Sequence, residues 1–151
     1  MNFTKRFILF LVINFGGLAL GSWFMNNGPQ SDWYLSLNQA PWTPPGWVFG
    51  LAWTTIMLCF SIYMAVLSIK NPTKKVVFLF SFQFVLNVIW NYIFFNQHLT
   101  AIGLIVIVLL TVLVFYCYIK FNKIKAKYFL LPYMVWLCIA TSLNAYIFIY
   151  N

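Results

Sequence analysis

The chain has 151 residues, of which 64% are hydrophobic, 22% are aromatic and only 7% are charged. A soluble chain of this length needs far more polar surface to cover its core, so the composition excludes a soluble globular protein and indicates a membrane protein. Three cysteines without CxxC spacing and a single histidine form no metal-binding or disulfide pattern, and we predict neither kind of site.

Five segments lack Asp, Glu, Lys and Arg, and each is long enough to cross a bilayer as a helix. They cover residues 7–25, 47–69, 76–95, 100–119 and 128–150. Because the later segments are joined by short spacers, neighbouring helices must run antiparallel in one bundle. We therefore predict an all-α fold in which residues 1–151 form a single domain, a polytopic bundle of five transmembrane helices.

The first segment has two interpretations. Lys5 and Arg6 precede an apolar run with small residues near Gly21, which is also the pattern of a cleaved signal peptide. Gly17 and Gly21, however, have the GxxxG spacing that lets another helix approach closely, and this favours a retained transmembrane helix. Cleavage would leave the remaining lysines on one side of the membrane, so the charge pattern does not decide between the two.

All nine basic residues lie before the first segment, between the second and third, or between the fourth and fifth. In an antiparallel five-helix bundle these three places share one side, which the positive-inside rule assigns to the cytoplasm. We predict a cytoplasmic N-terminus and an outside C-terminus, with the net charge of +8 facing membrane lipids rather than nucleic acid. The residues are Lys5, Arg6, Lys70, Lys74, Lys75, Lys120, Lys123, Lys125 and Lys127.

The loop after the first segment is rich in tryptophan and proline. Four of the seven tryptophans lie between Trp33 and Trp53, close to Pro41, Pro44 and Pro45. Rigid rings and fixed backbone angles could frame the mouth of a site for a flat apolar molecule. An aromatic belt at the membrane interface has the same composition, and both interpretations remain open.

Two ionisable residues lie on the side opposite the lysines. We interpret His98 as a solvated loop residue rather than a haem ligand. We interpret Asp32, beside Ser31, as the cap of a short loop helix that begins near Trp33. No catalytic triad, carboxylate pair or phosphate-binding glycine loop can be assembled from the sequence, so it gives no conventional catalytic site.

Neutral polar and aromatic residues recur at helical spacing in three spans, which places each set on one helix face. Such faces could line a cavity, although the same amides could serve as hydrogen-bonding contacts between helices. The faces are Phe49, Trp53 and Ile56 or Met57 in the second span; Gln83, Asn87, Trp90 and Phe94 in the third; and Trp136, Ala140, Leu143 and Asn144 in the fifth.

Three stretches carry a family resemblance: APWTPPGWVFGLAW at 40–53, QFVLNVIWNYIFF at 83–95 and PYMVWLCIATSLNAY at 132–146. They resemble the tryptophan-rich sensory protein and translocator protein family, TspO/MBR, which includes the peripheral-type benzodiazepine receptors. The resemblance extends over nearly the whole chain. It implies a five-helix membrane protein, often a homodimer, that requires no cofactor. Its implied ligands are porphyrins (protoporphyrin IX or haem), sterols, and isoquinoline carboxamide or benzodiazepine-type molecules, bound beneath the loop between the first two spans.

The resemblance also implies which residues touch the ligand. The loop would form a lid with Trp33, Tyr34, Trp42 and Trp47, shaped by the three prolines. The ligand-binding residues implied in this chain are Tyr34, Trp42, Phe49, Gly50, Trp53, Gln83, Asn87, Trp90, Trp136, Ala140, Leu143 and Asn144.

Two positions depart from the animal members of the family. Thr43 stands where they have histidine, and no basic residue follows Tyr146, although the sterol-recognition pattern requires one. A physiological sterol ligand is therefore not expected. Together with the cytoplasmic lysines, the weak match of the N-terminal region to animal relatives favours a bacterial plasma membrane.

Three functions stay open at this point. A receptor or sensor of porphyrins is the first, because the spans hold no ionisable catalytic groups. The second is light-dependent oxidative degradation of bound porphyrin, with Trp53 and Trp136 as candidate electron donors. The third is facilitated transport, which the lack of charged residues in the spans and the odd number of helices disfavour.

Overall fold

The computed structural model describes residues 1–151 and contains helices and loops only. The six α-helices are α1 (Phe3–Phe24), α2 (Asp32–Ser36), α3 (Gly46–Lys70), α4 (Lys74–Asn91), α5 (Thr100–Lys120) and α6 (Leu131–Tyr150). All but the five-residue α2 are long and apolar enough to cross a membrane, since α4 and α6 are extended by the short helical segments beside them. The prediction of an all-α protein with five transmembrane helices is therefore confirmed.

Helices α1 and α4 begin before the charge-free segments, and α3 and α5 end after them, where caps and flanking cations stabilise the helix ends. The side chain of Asn2 accepts a hydrogen bond from the backbone at the start of α1, and Thr73 does the same for α4. Lys70 and Lys120 are the last residues of α3 and α5, where a positive charge is favoured by the helix dipole.

A π-helical segment, Tyr92–Asn96, follows α4 and changes the direction of its side chains. The backbone N–H of Gln97 bonds to the carbonyl oxygen of Tyr92, five residues earlier, at 3.0 Å. The wider turn breaks the 3.6-residue period. As a result, Phe94 and Phe95 are both buried although they are consecutive.

Helix α1 packs closely against α3 and α4. Asn14 donates a buried hydrogen bond from Nδ2 to Oγ of Ser61 on α3, at 2.8 Å. A Cβ atom added at Gly17 or Gly21 would lie only 2.5 or 2.6 Å from α4 side chains. The GxxxG pair thus allows the close packing that its spacing predicts, and α1 packs as one of the helices of the bundle.

The basic residues gather at one end of the bundle, where they hold neighbouring helices together. Nη1 of Arg6 donates to the carbonyl oxygen of Ser68 at 3.0 Å, and Nζ of Lys75 donates to the hydroxyl of Tyr116 at 2.7 Å. Lys127 lies 4.8 Å from the ring centre of Tyr118. The grouping follows from the antiparallel arrangement, while the assignment of this end to the cytoplasm stays a prediction.

Candidate ligand-binding site

A cavity of about 240 Å³ lies between α1, α3, α4 and α6 at the end of the bundle opposite the lysines. The loop of residues 26–45, which we call the lid, contributes to its wall. The lining contains seven aromatic side chains and no Asp, Glu, Lys, Arg or His. The lining residues are Gly17, Leu18, Ser22, Met25, Pro29, Tyr34, Phe49, Gly50, Trp53, Thr54, Asn87, Trp90, Asn91, Phe94, Phe95, Ile107, Trp136, Ala140, Leu143, Asn144 and Ile147.

The aromatic walls of the cavity are held in place by contacts between rings. Phe49 on α3 packs edge-on against Trp136 on α6, with ring centres 5.2 Å apart. Trp90 stacks on Phe94 at 5.3 Å with an interplanar angle of 10°. Such pairs stabilise one ring orientation. The rings that line the cavity are therefore held in one arrangement.

The lid helix α2 begins as the sequence indicates, but with a different cap. Oγ of Ser31 accepts the backbone N–H of Tyr34 at 3.2 Å, so Ser31 is the N-cap and Asp32 is the first helical residue. A hydroxyl fits this position as well as a carboxylate does, and Asp32 instead favours the helix through its dipole. The prediction of a helix here is correct, and the prediction of Asp32 as its cap is wrong.

Tyr34 is the lid residue that closes the cavity. It is 6% exposed and packs edge-on against Phe95 with ring centres 5.4 Å apart. Burial raises the pKa of its hydroxyl, because the ionised form would lose its hydration. The neutral phenol is therefore the form that the closed lid requires.

Three further contacts attach the lid to the rest of the protein. Trp33 stacks on His98 with ring centres 4.0 Å apart and planes 10° from parallel. The backbone N–H of Asn38 donates to Oδ1 of Asn151 at 2.8 Å, and Nδ2 of Asn151 donates back to the Asn38 carbonyl at 3.1 Å. His98 is exposed and does not line the cavity, in agreement with its interpretation as a loop residue.

Ten of the twelve residues implied as ligand-binding line the cavity: Tyr34, Phe49, Gly50, Trp53, Asn87, Trp90, Trp136, Ala140, Leu143 and Asn144. Trp42 does not, because its indole N–H donates to Oγ of Ser142 at 3.1 Å on the outer side of α6 and it is 54% exposed. Gln83 does not either, because it lies one turn deeper than Asn87 and its amide contacts the hydroxyl of Tyr133. Ile56 and Met57 are buried in the core instead of lining the cavity.

Several lining residues were not anticipated from the sequence. In α1 and the start of the lid, no set of polar residues recurs at helical spacing to indicate a cavity wall. The GxxxG spacing is the one feature of the sequence that indicates close packing of α1 against other helices. Asn91, one turn after Asn87, could have been found from its spacing. The additional lining residues are Gly17, Leu18, Ser22, Met25, Pro29, Thr54, Asn91, Phe95, Ile107 and Ile147.

Fold and site together define a polytopic helical membrane protein with a neutral, aromatic cavity beneath a lid. Residues 7–150 match the model of the TspO/MBR family, and this chain therefore belongs to that family. The match includes the first span, in agreement with its packing as a structural helix.

The chain is similar to bacterial, archaeal and animal proteins of this family. It is 34% identical to protein CrtK of Rhodobacter capsulatus over 118 residues, or 74% of each chain. It is 32% identical to the tryptophan-rich protein TspO of Archaeoglobus fulgidus over 154 residues, or 100% of this chain and 99% of the relative. The translocator protein of Homo sapiens is 29% identical over 135 residues, covering 85% and 79% of the two chains.

Proposed function

We propose that this protein is a membrane receptor of the translocator type that binds a porphyrin in the cavity beneath the lid and responds to its abundance. The observation that carries the proposal is the lining itself: seven aromatic rings, a few amides and no charged group. Aromatic rings can stack on a flat conjugated molecule. The few amides can fix its orientation by hydrogen bonds, and no group in the lining requires the ligand to be charged. Isoquinoline carboxamide or benzodiazepine-type molecules fit the same description.

The size of the cavity determines how a porphyrin would sit. Its volume of about 240 Å³ lies below the range of roughly 300–1,000 Å³ that is usual for small-molecule sites. A tetrapyrrole would therefore enter with its apolar edge first and displace part of the lid. Its propionate groups would remain at the water-facing mouth, because no cation lines the cavity to balance them.

Light-dependent degradation is the second candidate, supported by the placement of two indoles. Trp53 on α3 and Trp136 on α6 line the same cavity, and neither indole N–H makes a hydrogen bond within the protein. A photoexcited porphyrin between them could take an electron from either ring. Addition of dioxygen, the oxidant, to the reduced macrocycle and return of the electron to the indole would then leave an oxygenated porphyrin and an intact protein. The excited ligand would supply this chemistry and the protein would position it.

The setting proposed for either activity is a bacterial plasma membrane, with the lysine end facing the cytoplasm and a homodimer as the assembly. Coupled transport is less well supported, since the predicted spans contain no charged residue that could bind a driving ion. Facilitated passage of a porphyrin needs no such residue and remains the third candidate.

One experiment separates the first two candidates. Protoporphyrin IX is titrated into the purified protein while tryptophan fluorescence is followed, and the saturated complex is then illuminated. A receptor quenches the fluorescence saturably and leaves the porphyrin absorbance unchanged, whereas a degrading protein bleaches the Soret band of the bound fraction. Absence of saturable quenching contradicts both.

The photochemical role of the indoles has its own test. We expect Trp53→Phe and Trp136→Phe to retain appreciable porphyrin binding and to slow bleaching under light, because phenylalanine keeps apolar contact but is far harder to oxidise. Trp23, which is 77% exposed and does not line the cavity, provides the control Trp23→Phe. Equal bleaching rates at matched occupancy in all variants and the parent would eliminate the photochemical role.

A further inference from the structure

A buried tyrosine lies between two amides directly below the ligand cavity. The hydroxyl oxygen of Tyr133 is 2.6 Å from the side-chain amide of Gln83 and 3.2 Å from that of Asn87. Tyr133 is 0% exposed and does not line the cavity, whereas Asn87 does. The tyrosine thus connects a residue that a ligand can touch to one that it cannot.

The single hydrogen of this hydroxyl determines how the two amides are oriented. The atoms placed against the hydroxyl are both amide nitrogens, Nε2 of Gln83 and Nδ2 of Asn87. A buried O–H must itself be donated, so one of the two amides must be turned to offer its oxygen as the acceptor. A separation of 2.6 Å is typical of an O–H···O bond, whereas N–H···O bonds cluster near about 2.9–3.0 Å. The hydroxyl of Tyr133 therefore donates to Oε1 of Gln83, and Nδ2 of Asn87 donates to the hydroxyl.

In this orientation the Gln83 amide is rotated by about 180°, which exchanges its oxygen and nitrogen and leaves the shape of the side chain unchanged. Before the rotation, Oε1 of Gln83 and the hydroxyl of Tyr63 are the two buried side-chain polar atoms without a partner. Both residues line a second, small cavity of about 10 Å³. With the amide turned, Oε1 accepts from Tyr133, and the amide nitrogen takes its place as the atom without a partner, on the side of the cavity that Gln83 shares with Tyr63.

The same orientation leaves the Asn87 side-chain oxygen without a partner in the protein, and Asn87 lines the ligand cavity. Asn91, one helical turn later, has the same arrangement: its Nδ2 donates to the backbone carbonyl of Asn87 at 3.1 Å, which leaves its Oδ1 without a partner. Both residues line the cavity. The α4 wall therefore presents two hydrogen-bond acceptors about one turn, or roughly 5.4 Å, apart.

We propose that Tyr133 is a positioning residue that holds Asn87 with its side-chain oxygen toward the cavity, so that the site selects flat ligands with an N–H or O–H donor facing α4. The inference rests on the proposed function only in that the cavity must bind a flat molecule. Beyond the proposed function, the inference states that such a molecule must carry an N–H or O–H donor on the side that faces α4.

Acridone and N-methylacridone test this selectivity, because these flat fluorophores differ only in whether the ring nitrogen carries a hydrogen or a methyl group. We expect the parent to bind acridone about fivefold more tightly than its N-methyl analogue, the contribution of one hydrogen bond. Asn87→Leu should bring the two affinities to within about twofold. If the methyl group weakened binding only by steric hindrance, Asn87→Leu would still bind acridone more tightly than N-methylacridone.

Tyr133→Phe should also reduce the preference, because the Asn87 amide is then free to turn. A merely structural role for Tyr133 would weaken both ligands equally and leave their ratio unchanged. Gln83→Met is a second variant, at a residue that does not line the cavity. Without the Gln83 oxygen, the hydroxyl of Tyr133 would donate to the side-chain oxygen of Asn87, and this oxygen would then point away from the cavity. Tyr63→Phe is the matched control. It leaves the hydrogen bonds of Tyr133 with Gln83 and Asn87 intact, so this variant should retain the full preference for acridone.

Equal affinities in the parent, or the same ratio in the parent, Asn87→Leu and Tyr133→Phe, would overturn the inference. Failure of the parent to bind acridone while it binds protoporphyrin IX would overturn it too and leave the proposed function standing. If acridone selectivity follows the variants and protoporphyrin IX does not bind, the porphyrin proposal fails and the inference survives.

Discussion

Tyr34 is a lid residue that lines the cavity, and its burial disfavours ionisation of its hydroxyl. Tyr34 packs between Phe94 and Phe95, and burial raises the pKa of its hydroxyl above the ordinary value of about 10. Since the folded protein binds this proton more tightly than the unfolded chain, the stabilisation is complete below about pH 10 and decreases as the pH rises above it.

This leads to a prediction for alkaline pH. We expect the melting temperature of the parent to fall more steeply above about pH 10 than that of Tyr34→Phe, which has no ionisable group to expose. Thermal melts in detergent between pH 8 and pH 11 measure the difference, and Tyr150→Phe serves as a control because Tyr150 is 58% exposed. Parallel curves for the parent and Tyr34→Phe would contradict the assigned role of burial.

Which single residues could be found from the sequence depended on the regularity of the backbone. Asn87 and Trp90 line the cavity on the face that their spacing predicts, because α4 is regular up to Asn91. The same spacing does not predict Phe95, because the π-helical segment breaks the period after that point. Gln83 lies on the predicted face but below the cavity, since periodicity gives the direction of a side chain and not the level at which a cavity ends.

At the scale of elements, the lid is the least regular part of the site and was the hardest to predict. A turn in which the backbone N–H of Thr43 bonds to the carbonyl of Ala40 at 3.0 Å precedes α3, and Trp42 lies within it. Trp42 reaches Ser142 on the outside of α6 rather than the cavity. Loop composition indicated a lid, but the loop conformation depends on contacts with distant residues that no local pattern reveals.

The ring contacts of Trp33 with His98 and Phe94 should govern how often the lid opens. We expect Trp33→Ala to increase amide hydrogen exchange across residues 26–45 by roughly two- to tenfold, because an aromatic pair contributes about 0.5–1.5 kcal/mol. Trp47→Ala is the control, since Trp47 lies near the lid but is 70% exposed and has no aromatic partner. Similar exchange in the parent and Trp33→Ala would show that these two ring contacts do not hold the lid.

At the scale of the whole molecule, the lid and the lysines lie at opposite ends of one helical bundle. Composition and charge were enough to predict this division, because the hydrophobic length of each span and the position of each cation are explicit in the sequence. The packing of α1 into the cavity wall was not predicted, since it depends on which helices become neighbours.

The predicted orientation can be measured by cysteine accessibility in intact cells. We expect an impermeant maleimide to label Asn38→Cys in the lid and to leave Lys123→Cys at the lysine end unlabelled, with the parent correcting for its three native cysteines. Membrane permeabilisation should then expose position 123. Labelling of position 123 without position 38 in intact cells would invert the topology.

If a porphyrin occupies the cavity beneath the lid, as we propose, added bulk at Ala140 should weaken its binding. Ala140 lines the cavity, whereas its neighbour Ile139 is 36% exposed on the outside of α6. Titration of protoporphyrin IX into the parent, Ala140→Phe and Ile139→Phe should give similar affinities for the parent and Ile139→Phe. For Ala140→Phe we expect a loss of at least about fivefold, because the added ring fills space that the ligand needs. Equal affinities in all three folded proteins would place the porphyrin elsewhere and contradict the account.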